Sequence, residues 1–261
     1  MALYLLLLLN FLFPQTAKNY EYLYTLPEKG TVCTSDGLGN IYLVSGRSII
    51  KYSENSRKNV YTNAYLGHIQ LVDVSNPFRI VVFYKDFNQL VFLDNFLSPQ
   101  RSPVSLDDLG YSQVELVCGS GSEGFWLFDN IKNCLVRIGN NLQPLYQSAD
   151  LNLFTASKNR PVYMTERNSR IYLSVPGTGI LIFDHCGNHL RTVPLNDINS
   201  FQVQDGRIIY LKNHCLNVYN IEMLKEMEIT LPDTTGVTDA RLEGEKLILL
   251  KAGKICVYKK L

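Results

Sequence analysis

Apolar residues in this chain come in short runs, paired across a polar turn, and the pairs themselves repeat. The clearest pair runs from Gly39-Asn40-Ile41-Tyr42-Leu43-Val44 through Ser45-Gly46-Arg47-Ser48 to Ile49-Ile50-Lys51-Tyr52. The pattern returns with Arg79 to Tyr84 followed by Gln89 to Leu93, and with Gly124 to Phe128 followed by Cys134 to Ile138. It returns again at Arg170 to Ser174 with Ile180 to Phe183, at Arg207 to Leu211 with Leu216 to Tyr219, and at Lys246 to Leu250 with Ile255 to Tyr258. Each pair reads as a β-hairpin. β-Branched and aromatic residues suit a pleated, largely buried strand, and Gly, Asn and Asp tolerate the positive φ of tight turns.

Aligned on the last large apolar residue, the six copies end at Tyr52, Leu93, Ile138, Phe183, Tyr219 and Tyr258. The spacing is 36 to 45 residues, close to the roughly 40–45 residues of a four-stranded propeller blade. The hairpin supplies the two middle strands. An inner strand precedes it, expected at His68 to Val74, Gln113 to Cys118 and Ser200 to Gln204. An outer strand follows, expected at Asn59 to Tyr65 and His189 to Leu195, with an Asx or type I turn over Asp184 to Asn188. The sixth copy stops at Leu261 with no room for an outer strand, whereas Tyr20 to Leu26 is β-prone and has no blade of its own. Both facts fit an all-β, six-bladed β-propeller closed by pairing of the N-terminal strand with the last blade, which removes open sheet edges. Tyr20, Tyr22 and Tyr24 alternate at period two and are expected on one face of that strand.

Composition agrees with a single domain over 18–261. The chain has 261 residues, 46% of them hydrophobic, without a low-complexity linker, and all-β domains often reach about 250 residues as one unit. Residues 1–17 read as a signal peptide: the apolar stretch through Leu5 to Leu9 and on to Phe13 is far shorter than the roughly 20 residues of a membrane span. A periplasmic or secreted protein is therefore expected, with no transmembrane segment in the mature chain. A formal net charge of +1 gives no electrostatic footprint for nucleic acid. The six cysteines (Cys33, Cys118, Cys134, Cys186, Cys215 and Cys256) are scattered without a CxxC pair and read as small buried residues with free thiols, a cross-blade disulfide or two being the alternative.

Catalytic signatures are missing. His68, His185, His189 and His214 form no metal motif, and His185 and His189 read as turn and strand-surface residues. Gly119 to Gly124 lacks the following helix and lysine of a phosphate cradle and reads as an inter-strand loop. Trp126 reads as core. No catalytic residue, metal or cofactor is expected. Binding candidates are His68, Gln70, Gln113, Glu115, Gln202, Asp239 and Arg241, which the inner strands could turn toward a central channel, together with Gln204. Arg160, Arg167 and Arg170 would grip an acidic partner if they converged.

Gly39-Asn40-Ile41-Tyr42 and Ile180-Leu181-Ile182-Phe183-Asp184 resemble blades of six-bladed propellers of the NHL and TolB-like kind, over about 20–261. That resemblance implies a binding scaffold, some members being metal-dependent lactonases or lyases. A small exported propeller without a lipid anchor or added domain is also similar in kind to the periplasmic plug subunit of the type IX secretion translocon. This implies a protein partner in an outer-membrane complex and a non-enzymatic role. A lactonase or lyase at the channel mouth and a carbohydrate-binding propeller are the alternatives.

Overall fold

A computed structural model describes residues 19–54, 57–121, 123–155 and 159–261; the expected signal peptide lies outside them. The described chain forms six four-stranded antiparallel sheets, each ordered from an inner to an outer strand and arranged as the blades of a propeller. Blade 1 consists of Val32–Ser35, Ile41–Ser45, Ser48–Tyr52 and Lys58–Thr62, and blade 2 of Leu71–Asp73, Ile80–Tyr84, Gln89–Leu93 and Val104–Ser105. Blade 3 is Val114–Gly119, Phe125–Asp129, Cys134–Ile138 and Pro144–Gln147; blade 4 is Tyr163–Arg167, Arg170–Val175, Gly179–Asp184 and His189–Val193. Blade 5 is Gln202–Gln204, Arg207–Lys212, Cys215–Asn220 and Lys225–Ile229. Blade 6 takes Val237–Glu243, Lys246–Lys251 and Lys254–Lys260 from the C-terminus and its outermost strand, Tyr20–Lys29, from the N-terminus.

The apolar runs are continuous because each blade is buried on both faces. In blade 2, Ile80, Val82 and Tyr84 pack toward blade 1, while Val81 and Phe83 pack toward blade 3. In blade 3, Phe125 and Leu127 face blade 2, and Trp126 and Phe128 face blade 4. Period-two alternation thus distributes one strand between two cores. Six apolar clusters result, one at each blade–blade junction. A single blade would expose the apolar residues of both its faces, so the ring forms only by stacking.

The closing strand pairs antiparallel with Lys254–Lys260, from Tyr20 opposite Lys260 to Lys29 opposite Lys254. Its tyrosines do not share one face. Tyr22 lies opposite Tyr258 but Tyr24 lies opposite Val257, so Leu23 is the extra residue of a bulge and the alternation reverses there. Tyr20 packs with Tyr258 against blade 5, and Leu26, beyond the bulge, packs against blade 1.

Antiparallel order puts two kinds of connection at the two ends of the ring. Crossovers between blades and the turns joining second to third strands share one end, the crossover end. Turns joining first to second and third to fourth strands share the other, the hairpin end. The Asp184 to Asn188 turn is the expected Asx type: Asp184 Oδ1 accepts from the backbone N–H groups of Cys186 and Asn188 at 2.9 Å each, and Gly187 has φ +86°. All six cysteines are free thiols, with Cys33, Cys118 and Cys134 buried. Trp126 is fully buried, as expected of a core residue.

Candidate functional site

The inner strands of blades 1, 2, 4, 5 and 6 surround an axial cavity of about 60 Å³. Its polar lining includes Asp73, Ser75, Thr165, Arg167, Gln202 and Arg241. These strands carry most of the blades' inward polar residues, such as Asp73, Gln202 and Gln204, because one side meets the axis and the other meets a neighbouring blade.

The polar side chains bond mainly to backbone groups, most of them on a neighbouring blade. Arg241, 6% exposed, donates from Nη2 to Asp239 Oδ2 at 2.9 Å and to Ser200 Oγ at 3.3 Å, and from Nη1 to the Phe201 carbonyl at 3.2 Å. Burial works against that guanidinium charge, yet Asp239 and the Tyr163 hydroxyl beside it raise its pKa. Gln202 binds blade 6 twice: Nε2 donates to the Leu242 carbonyl at 3.2 Å and Oε1 accepts from the Leu242 N–H at 2.8 Å. Gln204 Nε2 donates to the same carbonyl at 3.0 Å. Asp73 accepts from the backbone N–H groups of Ser75 at 2.7 Å and Gly119 at 2.8 Å, tying blade 2 to blade 3. Arg167 Nη1 donates to the Ser75 carbonyl at 3.2 Å, on another blade. At the hairpin end, Ser35 Oγ donates to Glu243 Oε2 at 3.1 Å. Burial pushes the Glu243 carboxyl up, with the Ser35 bond pulling against it. Burial, reinforced by Asp239, pushes the Cys33 thiol up to about 12, which keeps it protonated and unreactive at neutral pH.

Of the expected binding residues, the structure brings Gln202, Asp239 and Arg241 together at the axis. The other four lie elsewhere. His68 and Gln70 are exposed on the crossover ahead of Leu71–Asp73, and Gln113 is exposed just before Val114–Gly119. The inner strands begin later than expected, so these residues stay on the ring's crossover end. Glu115 sits at that end too, ion-paired to Lys85 and, at 3.7 Å, to Arg160. The three arginines near blade 4 do not converge: Arg160 is at the crossover end, whereas Arg167 reaches the cavity and the exposed Arg170 sits at the hairpin end.

Sequence reasoning passed over two buried charges: Lys51, inside an apolar hairpin run, and Glu166, on the inner strand of blade 4. Glu166 Oε2 accepts from Trp126 Nε1 at 2.7 Å and Oε1 accepts from the Gly121 N–H at 2.9 Å. The nearby Gly119 to Gly124 stretch is an inter-strand connection, as expected. Gly124 has φ +76°, and a Cβ there would lie 1.7 Å from the Ile138 carbonyl oxygen. His185 lies exposed on its turn, and His189 stacks on Phe154 at 4.5 Å. Among the described residues, no three His, Cys, Asp or Glu side chains stand close enough to share a metal ion, and no helix is long and apolar enough to cross a membrane.

Comparison with known proteins supports the architecture. No protein-family model matches the chain and no curated protein matches it in sequence. Solved structures do match. A catalytically inactive virginiamycin B lyase from Staphylococcus aureus, with quinupristin, superposes at TM-score 0.60 and 13% identity, over 90% of this chain and 83% of the lyase. The Pan2 WD40 domain of Neurospora crassa gives TM-score 0.65 at 8% identity over 93% and 95%. BBS1N, solved in complex with ARL6DN, gives 0.56 at 15% over 90% and 79%. Likeness at these identities establishes a propeller fold. The fold serves neighbours as different as a lyase and a partner-binding module, so function must be read from the site.

Proposed function

We propose that this protein is a non-enzymatic β-propeller that binds a protein partner through the ends of its ring. The axial cavity carries this reading. At about 60 Å³ it has space for a few waters, against the roughly 300–1,000 Å³ of small-molecule sites, and its side chains are spent on cross-blade bonds. Large apolar side chains are instead exposed at the ring ends: Tyr65, Phe87, Ile131 and Leu153 at the crossover end, Leu38, Phe78 and Phe96 at the hairpin end. Aromatic and aliphatic residues exposed on loops over a rigid scaffold are the usual material of a docking surface.

The lactonase or lyase alternative has less support, because the described acidic and histidine side chains do not gather at a point. The carbohydrate alternative calls for aromatics on one face. Here they divide between both ends and the outer rim, where Tyr22, Tyr24 and Tyr146 stand exposed.

Export rests on the sequence of residues 1–17, and the secretion-complex assignment rests on the likeness in kind to the translocon plug subunit. Both are tested by purifying the tagged native protein from solubilised envelopes. The expected result is a mature N-terminus just after Ala17 and a stoichiometric partner from an outer-membrane complex. A cytosolic, unprocessed chain removes the export assignment. Recovery of no stoichiometric protein, from envelope or cytosol, removes the protein-binding reading.

A further inference from the structure

A second cavity, about 350 Å³, opens at the hairpin end between blades 1 and 2. It is lined by Lys51, Ser53, Arg57, Asn59, Asn95 and Phe96, two cations and no acid. Lys51 is the unusual member. It is 2% exposed, and lysine is almost never fully buried without a paired charge. Its Nζ donates to the Asn95 carbonyl at 2.7 Å and to Asn95 Oδ1, so neutral oxygens take two of its three protons.

The surrounding acids are engaged elsewhere. Asp36 accepts from the N–H groups of Leu38 and Asn40, the Asn40 amide and the Tyr42 hydroxyl. Asp94 Oδ1 accepts from the N–H groups of Phe96 and Ser98. Glu54 pairs with Lys246 and Glu28 with Lys58. Burial pulls the Lys51 pKa down, and the fields of Asp36 and Asp94 only partly restore it. An incoming carboxylate would supply the contact counter-charge that the fold leaves out.

The rest of the lining fits the same ligand. Arg57 is exposed at the rim and presents a planar donor fork suited to carboxylate. Asn59 and Asn95 add amide groups, and the exposed Phe96 ring gives an apolar wall. The 94–103 loop that carries Phe96 also holds Arg101, which with Arg79 lies over the Phe92 ring, at 5.3 and 4.7 Å. Further positive charge therefore stands at this end of blade 2, over a buried ring on the side that faces blade 3.

We infer that this pocket receives a carboxylate side chain from an acidic, partly apolar segment of a partner protein, with an apolar neighbour in that segment packing on Phe96. The inference rests on the protein-binding reading and names the partner's chemistry.

The probe is a fluorescein-labelled peptide of alternating Glu and Leu, titrated by anisotropy against the whole mature protein, beside a Gln–Leu counterpart and a single-stranded dT oligonucleotide. The Glu peptide is expected to bind at least tenfold more tightly than the other two. Arg57→Glu is expected to weaken it at least tenfold, and Lys132→Glu, the same charge change on an exposed residue of the crossover end, by less than twofold. Lys51→Met tests the pocket floor, read only if its thermal unfolding stays cooperative; Arg57 is exposed and decides the matter without it. Equal loss in Arg57→Glu and Lys132→Glu, or equal binding of the Gln peptide or the oligonucleotide, overturns the assignment. A stoichiometric native partner retained undiminished by Arg57→Glu also overturns it and leaves the protein-binding reading standing. If the wild-type protein recovers no partner, that reading falls, and the peptide titration still decides the chemistry of the pocket.

Discussion

Individual charges in this propeller hold blades together, and their energetics can be read one residue at a time. The Trp126 indole N–H and the Gly121 N–H between them satisfy the Glu166 carboxylate. Trp126→Phe removes one donor and leaves a buried carboxylate oxygen unpaired, costing about 1–3 kcal/mol beyond the lost packing. Urea denaturation should show that loss, and Glu166→Gln in the Trp126→Phe background should recover part of it, because a neutral amide is cheaper to leave unpaired. If Glu166→Gln instead deepens the loss, the bond is not what holds this junction. Gly124→Ala is expected to destabilise by well over about 1 kcal/mol, since it combines a positive φ with a collision against the Ile138 carbonyl. Glu243 gives a pH effect of definite sign. Its carboxyl is raised above the ordinary value by burial, so the folded state holds the proton more tightly than the unfolded chain does. Its contribution to stability is fully present below the unfolded pKa and is lost as pH rises through the raised folded value. Glu243→Gln should remove that decrement from a pH series of melting temperatures, while an unchanged series would show that the group titrates normally.

The β-hairpins are the most legible elements, for a physical reason: both faces of Ile80–Tyr84 or Phe125–Asp129 are buried, so the whole run is apolar and stands out against its turns. Inner strands are harder. Leu71–Asp73 and Gln202–Gln204 are three residues long with polar members turned to the axis, and no alternation over so short a span marks where they begin. Hence Gln202 and Arg241 line the axis, whereas His68, Gln70 and Gln113 lie outside it. The bulge at Leu23 was invisible because it depends on register with a strand more than 200 residues away. The basic pocket escaped for the same reason, its walls coming from two blades. The closing strand itself can be probed by Leu26→Ala. That side chain is buried in the junction of blades 6 and 1, and truncation should cost about 2–4 kcal/mol. Deleting residues 1–29 goes further. It bares the edge of Lys254–Lys260, and an unpaired, apolar strand edge recruits other chains. Light scattering should report aggregation of the truncated protein at concentrations where the whole chain stays monomeric; a soluble monomer with a cooperative melt would show that closure is dispensable.

At the scale of the molecule, closure by the two chain ends means that the ring has no privileged starting blade. The Leu261 N–H donates to the Asn19 carbonyl at 2.9 Å, so the ends of the described ring already touch and a short linker joins them without strain. The six junction clusters are equivalent in kind, each built from two adjacent blades. Moving the termini should therefore leave every junction intact, provided the new cut falls in a crossover. A permutant that joins Leu261 to Asn19 through a few glycines and opens between Val193 and Gln202 is expected to fold, with an unfolding midpoint slightly below that of the natural order. The decrement should be small only if the cut spares what this crossover packs: Leu195, Ile198 and Phe201 belong to the junction of blades 4 and 5, and after a single cut each stays covalently attached to one flanking strand, as do the partners of the Ser174–Ile198 bond at 2.6 Å and of the Arg241 bonds to Ser200 and Phe201. Opening instead inside the Ile180–Phe183 run would divide a strand that feeds two clusters and should abolish folding. Circular dichroism with urea titration of the two permutants separates these outcomes. If both fold equally well, junction packing is not the source of cooperativity; if neither folds, the natural N-terminus is needed for more than completing blade 6.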